Sequence, residues 1–249
     1  MTSMEKFLNY RIPSITYEFD PPPPWEGFKG CRNDTHDLFK NNLKTQPKDW
    51  IYRSKKILYS KNEQGFRENA FKDIDWGESI VIFGCSIVEG LGLALEDTIA
   101  SQLNCMLKIP TVNLGIAGSA VDLAFFNSII LYNNYPRPKA VVHIWTSPNR
   151  YTEFSALPGK TPIENFEPTK PNYKAAIDWA KRSEFYITAD RLIWKDRVPR
   201  FEGSFFEHSD KQIKNFKIID FARDLQHPGI LSAKEVATVI ATELEGKIK

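Results

Sequence analysis

The chain is poor in the features that would place it in several large classes. It has three cysteines in 249 residues, Cys31, Cys85 and Cys105. Their spacing fits neither a disulfide framework nor a metal-ligand motif, which suits a reducing compartment. No apolar run approaches the ~20 residues that a membrane helix requires. The first ten residues, Met1 to Tyr10, contain no apolar core of leader length, so the expectation is a cytoplasmic protein with no membrane attachment. A virus-encoded protein would have the same profile. Charge of one sign is also missing: 33 basic residues face 31 acidic ones. That balance gives no ground for a nucleic-acid partner. There are no internal repeats. The glycine-rich stretch lacks both Gly-x-Gly-x-x-Gly and a following Gly-Lys-Ser/Thr, which argues against a nucleotide site.

What is present is organised around residues 79–92. Ile80-Val81-Ile82-Phe83-Gly84 is almost wholly apolar and partly β-branched. This is the pattern of a strand buried on both faces, as in a parallel sheet. Cys85-Ser86 follow, and a helical pattern is expected from about Leu93 to Leu103. Ser86 therefore falls just past the carboxyl end of a central strand, the edge where open α/β sheets bind ligands. Backbone N–H groups in such a turn can stabilise an anion.

Residues 1–75 read as an N-terminal arm packed on a main domain of 76–249. The arm carries Pro21-Pro22-Pro23-Pro24-Trp25, a polyproline II candidate, with Trp25 and Phe28 as pins. A short helix is expected over Asp34–Lys44, and short strands near Trp50–Tyr52 and Ile57–Tyr59. After the Ser86 turn come a helix over Asp97–Lys108, a strand over Pro110–Leu114 and a Gly115–Ser119 turn. Ser119 is expected to cap a helix that runs to about Tyr135, and Ala140–Trp145 reads as a third strand. This alternation predicts an α/β fold, a three-layer α/β/α sandwich with a central parallel sheet. The rhythm breaks over about 150–215, read as an insertion walling the site, with one helix over Asn172–Tyr186. A strand over Phe216–Asp220 and a closing helix over Ser232–Leu244 complete the expectation.

A serine nucleophile needs a base, and the base needs an orienting group. Asp224-Leu225-Gln226-His227-Pro228-Gly229 supplies both on a turn before the last helix. Gly84-Cys85-Ser86 near the start of the domain and Asp-x-x-His-Pro-Gly near its end resemble the SGNH hydrolases, also called GDSL esterases and lipases. Asn62-Glu63-Gln64-Gly65-Phe66-Arg67 resembles an element that many bacterial and phage members carry before the nucleophile strand. On residues alone, Arg67 reads as an anchor between arm and domain.

The resemblance implies a serine esterase with a Ser86–His227–Asp224 triad, no metal and no other cofactor. Asp220 is a weaker competitor for the orienting role, and His143 reads as structural. The family's oxyanion hole is built from the nucleophile's N–H, a glycine after the second strand and an asparagine after the third. Gly118 falls at the second place. The third block departs from the Gly-x-Asn-Asp pattern: an ungapped count puts Ser147 there, and a two-residue shift puts Asn149 there. Cys85 stands where the family often has Asp, and it is a minor rival nucleophile. The implied substrate is a small-molecule or carbohydrate ester, with O-acetyl groups on a sugar preferred. The aromatics Tyr151, Phe154, Phe166, Trp179, Trp194 and Phe201 are candidates for stacking on it, and equally for an ordinary small core. Acyl transfer to an alcohol, and a non-catalytic binding or structural module on the same fold, are the rival functions. The oligomeric state is not legible in the sequence.

Overall fold

The computed structural model describes Phe7 and residues 33–154, 163–166 and 173–248. After α1 (His36–Thr45), the chain makes short 3₁₀ turns and enters β1 (Ile80–Gly84). A single helical turn, α2 (Ser86–Glu89), leads to α3 (Ile99–Leu107), β2 (Thr111–Gly115), α4 (Val121–Asn134) and β3 (Ala140–Trp145). The hairpin of β4 (Tyr151–Phe154) and β5 (Ile163–Phe166) comes next. It is followed by α5 (Tyr173–Trp194), β6 (Arg200–Ser204), β7 (Lys214–Asn215) and α6 (Ile230–Leu244). The central sheet has the order β2-β1-β3-β6-β7 and every pairing in it is parallel. The β4–β5 hairpin is separate and antiparallel.

The three layers follow from strand periodicity. Successive side chains on a strand point to opposite faces. Ile80 and Ile82 of β1, with Ala140, Val142 and Ile144 of β3, join one core with Ile99 and Leu103 of α3 and Val236 and Ile240 of α6. Val81 and Phe83, with Val141 and Trp145, join the other core with Leu123 and Leu131 of α4 and Ile187 and Trp194 of α5. Helices thus cover both faces, which is why β1 and β3 are apolar at nearly every position. Each such side chain contributes on the order of 1.5–3 kcal/mol by leaving water.

Several local expectations change. The stretches near Trp50 and Ile57 form no strand: residues 51–53 are a 3₁₀ turn, and Tyr52 and Ile57 are buried as single anchors in the α3–α6 core. Aromatic and β-branched residues there report packing and not a ladder. The expected strand over Phe216–Asp220 does not form: the ladder with β6 is confined to Lys214–Asn215 just before it, and Ile219 is exposed. A fourth full strand, β6, lies inside the stretch read as an insertion. Its polar residues Arg200 and Glu202 hide the strand pattern, and they are satisfied by an ion-pair network with Asp190 and Arg191. Leu95–Asp97 form a 3₁₀ turn, and the helix expected from Leu93 begins at Ile99. Helix α5 extends eight residues past Tyr186, to Trp194. Ser119 does not cap α4: the N-cap is Ala120, and Ser119 Oγ donates to Gly84 O. The proline run, Trp25, Phe28 and Cys31 lie outside the described residues.

Candidate active site

Two glycines let the site assemble. A Cβ on Gly84 would lie 2.4 Å from Val88 Cγ2 and 2.7 Å from Ile144 O. A Cβ on Gly115 would lie 2.3 Å from Glu89 N. Contacts so short do not occur between real atoms, so only glycine lets α2 sit directly on the ends of β1 and β2. The Ser86 turn is thereby held at the carboxyl edge of the sheet. Asn113 on β2 reinforces it: its Nδ2 donates to Val88 O at 2.8 Å and its Oδ1 accepts from Gly115 N at 2.9 Å.

Ser86 is the first residue of α2 and is nearly buried. Its Oγ lies 2.8 Å from His227 Nε2, and His227 Nδ1 lies 2.5 Å from Asp224 Oδ2. Asp224 is buried, and its other oxygen accepts from the N–H groups of Gln226 (3.0 Å) and His227 (3.1 Å). Leu225, at φ 57°, takes the left-handed conformation that this tight Asp-x-x-His turn demands. The carboxylate is thus fixed by the backbone of the residue it orients. With Nδ1–H donated to Asp224, Nε2 is left as the acceptor for the Ser86 hydroxyl.

The rival assignments separate in space. Cys85 packs in the α3–α6 core, its Sγ 3.9 Å from Ser86 Oγ, while the serine faces His227. Asp220 caps α6, accepting from Leu231 N, Ser232 N and Ser232 Oγ. His143 is fully buried, stacked between Phe83 and Trp145. Burial, and then the Arg200 charge, hold it well below the usual imidazole range, so it stays neutral. His208 Nε2 lies 3.0 Å from Thr146 O, and burial lowers its pKa also.

Gly118 sits in the turn after β2 with φ 79°. Among the described residues, no group accepts from the N–H of Ser86 or of Gly118. The Gly118 turn is pinned by Ile116 N to Gly84 O (3.0 Å) and by Ser119 Oγ to the same carbonyl (3.1 Å). A third pin is one that sequence reading passed over. Glu89, three residues after Ser86, is buried and accepts the N–H of Ala117 through Oε2 at 2.5 Å. Its Oε1 takes Lys61 Nζ at 2.8 Å. A lone acid inside an apolar, glycine-rich stretch was the available signal. Of the two candidates after β3, Ser147 is buried and Asn149 exposed, and Ser147 Oγ lies 3.4 Å from Asn149 N.

Arg67 is buried under the Ser86 loop. Its guanidinium donates to Gly90 O (2.6 Å), Leu58 O (2.9 Å) and Leu93 O (2.9 Å), tying 58 and 67 to the stretch after α2. Of the aromatics expected near a substrate, Trp194 and Phe201 are core residues instead. Tyr151 and Trp179 stack on each other, ring centroids 4.5 Å apart. They line a cavity of about 160 Å³ with Asp122, Phe126, Arg150 and Arg182. The side chains of Phe154 and Phe166 lie outside the described residues.

No known family profile matches the sequence, and no curated protein matches it. Solved structures are similar at low identity. An acetyl xylan esterase from Butyrivibrio proteoclasticus is 12% identical with a TM-score of 0.43. That match covers 70% of this chain and 65% of the esterase, so the chain spans about two thirds of that relative's length. A lipolytic protein of the G-D-S-L family from Desulfitobacterium hafniense is 12% identical with a TM-score of 0.43, covering 68% of this chain and all of the other. A carbohydrate acetylesterase family member from Sinorhizobium meliloti is 13% identical with a TM-score of 0.42, covering 68% and 99%. Among the described residues no helix is long and apolar enough to cross a membrane.

Proposed function

We propose that the protein is an SGNH-type serine esterase and that Ser86, His227 and Asp224 are its triad. The observation that carries this reading is the continuous chain Asp224 Oδ2–His227 Nδ1 at 2.5 Å and His227 Nε2–Ser86 Oγ at 2.8 Å, lying at the carboxyl edge of a parallel sheet. Ser86 Oγ attacks the acyl carbonyl and its proton passes to His227 Nε2. Asp224 keeps the ring in the required tautomer and stabilises the imidazolium. The N–H groups of Ser86 and Gly118 face the developing oxyanion, with Ser147 or Asn149 as third donor. His227 then gives its proton to the departing alcohol, and water hydrolyses the acyl enzyme by the same route in reverse. The substrate class we propose is an O-acetylated carbohydrate or another small ester. Acyl transfer would follow if an alcohol replaced that water.

The test is intact mass after a fluorophosphonate probe, on wild type and on Ser86→Ala. One adduct on wild type and none on the variant is the expected result. An unlabelled wild type would overturn the triad and favour a binding module on the same fold.

A further inference from the structure

The two loops that carry the proposed triad come from opposite ends of the domain, and a third segment joins them. Asp34 and Arg223 are both buried and form a forked ion pair. Arg223 Nε lies 3.0 Å from each Asp34 oxygen, and Nη2 lies 2.7 Å from Oδ2. Arg223 is the residue before Asp224. Asp34 Oδ2 also accepts the Tyr59 hydroxyl at 2.7 Å, and that oxygen in turn accepts the N–H of Gly92 at 2.8 Å. Gly92 lies six residues after Ser86, and its carbonyl accepts the N–H of Arg223 at 3.1 Å. Asn42 of α1 completes the clamp by donating to Arg223 O at 2.9 Å. A Cβ on Gly92 would meet Ala222 Cβ at 2.6 Å and Arg223 N at 3.1 Å, so only glycine lets the two loops approach this closely.

We propose that Asp34 and Tyr59 are positioning residues, setting the Ser86 loop and the Asp224–His227 loop in register through Gly92 and Arg223. The segment read from sequence as an arm is, at these residues, part of the scaffold of the site. A guanidinium held by a carboxylate in fork geometry has few alternative orientations. The backbone at 223–224 inherits that rigidity, and so does the carboxylate that orients His227. Tyr59 carries the same constraint to the nucleophile side. The inference rests on the esterase reading for its effect on rate, and on geometry alone for its effect on His227.

The test uses the full chain with Asp34→Asn and Tyr59→Phe. Tyr59→Phe keeps the Asp34–Arg223 ion pair and removes the hydroxyl that bridges Asp34 to Gly92, so it serves if Asp34→Asn does not fold. Melting temperature is measured first, and all rates are taken well below it. The readouts are the fluorophosphonate labelling rate, kcat and KM on p-nitrophenyl acetate, and the solvent exchange of the His227 Nδ1 proton by NMR. The expected result is a fall of about 10-fold or more in labelling rate and kcat with KM little changed, since small misplacements of reacting groups cost on the order of 10²-fold. The His227 Nδ1 proton should exchange faster in both variants. A lowered melting temperature with wild-type labelling, kcat and proton exchange would overturn the proposal. If wild type itself is inert to the probe, the esterase reading fails, and unchanged or faster Nδ1 exchange alone decides this one.

Discussion

His227 Nε2 lies 2.8 Å from Ser86 Oγ although 141 residues separate them in the chain. The contact exists because β1 and the 222–229 turn end at the same edge of the sheet. It also depends on Gly92, whose missing side chain leaves room for Ala222 Cβ and for the backbone of Arg223.

Asp224→Asn should lower kcat on an aryl acetate by on the order of 10⁴-fold, because an amide can leave the imidazole in the wrong tautomer. The variant should remain folded, since Asn can still accept from the N–H groups of Gln226 and His227. Steady-state kinetics alongside circular dichroism checks both halves. A kcat within a few-fold of wild type would show that Asp224 does not orient His227.

Ser147 and Asn149 compete for the third oxyanion place, and burial favours Ser147. Ser147→Ala should reduce kcat by roughly 100-fold, the lower end of what losing one such donor costs. Asn149→Ala should leave kcat within about 2-fold, as for an exposed residue outside the hole. The opposite ranking would establish the two-residue shift.

Glu89 holds the Gly118 turn by accepting from Ala117 N–H. Glu89→Ala frees that amide and strands Lys61 against a cavity, so kcat should fall by about 10-fold or more with little change in KM. Glu89→Gln keeps an acceptor for Ala117 and should recover most of the rate. Equal losses in both variants would mean that the charge, and not the hydrogen bond, matters.

Asp190 lies buried between Ser128, Arg200 and His143. Burial, opposed by the Arg200 charge, pushes its carboxyl up to about 6. A carboxyl raised in the folded state binds its proton more tightly there than in the unfolded chain. Its contribution is therefore fully present below about pH 4 and lost as pH rises to about 6, on the order of 3 kcal/mol across that window. Melting temperatures across pH should show wild type losing ground to Asp190→Asn between pH 4 and 6, and a constant difference above pH 7. A difference that does not change with pH would show an unshifted Asp190.

Much of the layer architecture was legible because a strand buried on both faces has few sequence solutions. Ile80–Gly84 and Ala140–Trp145 are such strands, and both form where the pattern puts them. Strand β6 was illegible because its core-facing residues alternate with Arg200 and Glu202, whose charges pair with each other and with Asp190 and Arg191 brought from α5. The strand expected at Phe216–Asp220 failed for the converse reason: Phe216 still packs in the core and its N–H donates to Ser204 O at the end of β6, but Ile218 and Ile219 run past that end with no strand to ladder against and stay exposed.

By itself the sequence determined the local geometry of this protein: a buried strand ending in Gly-Cys-Ser, and an Asp-x-x-His turn whose carboxylate bonds the backbone of its own histidine. Those are short-range consequences of residue type and spacing. Tertiary structure alone decided that Ser86 and not Cys85 meets His227, that Glu89 holds the Gly118 turn, and that Asp34 reaches Arg223 across 189 residues. The reason is physical. Which of two adjacent side chains enters the core, and which buried charge finds which partner, depends on elements packed from elsewhere in the chain. No local pattern records where those elements end up.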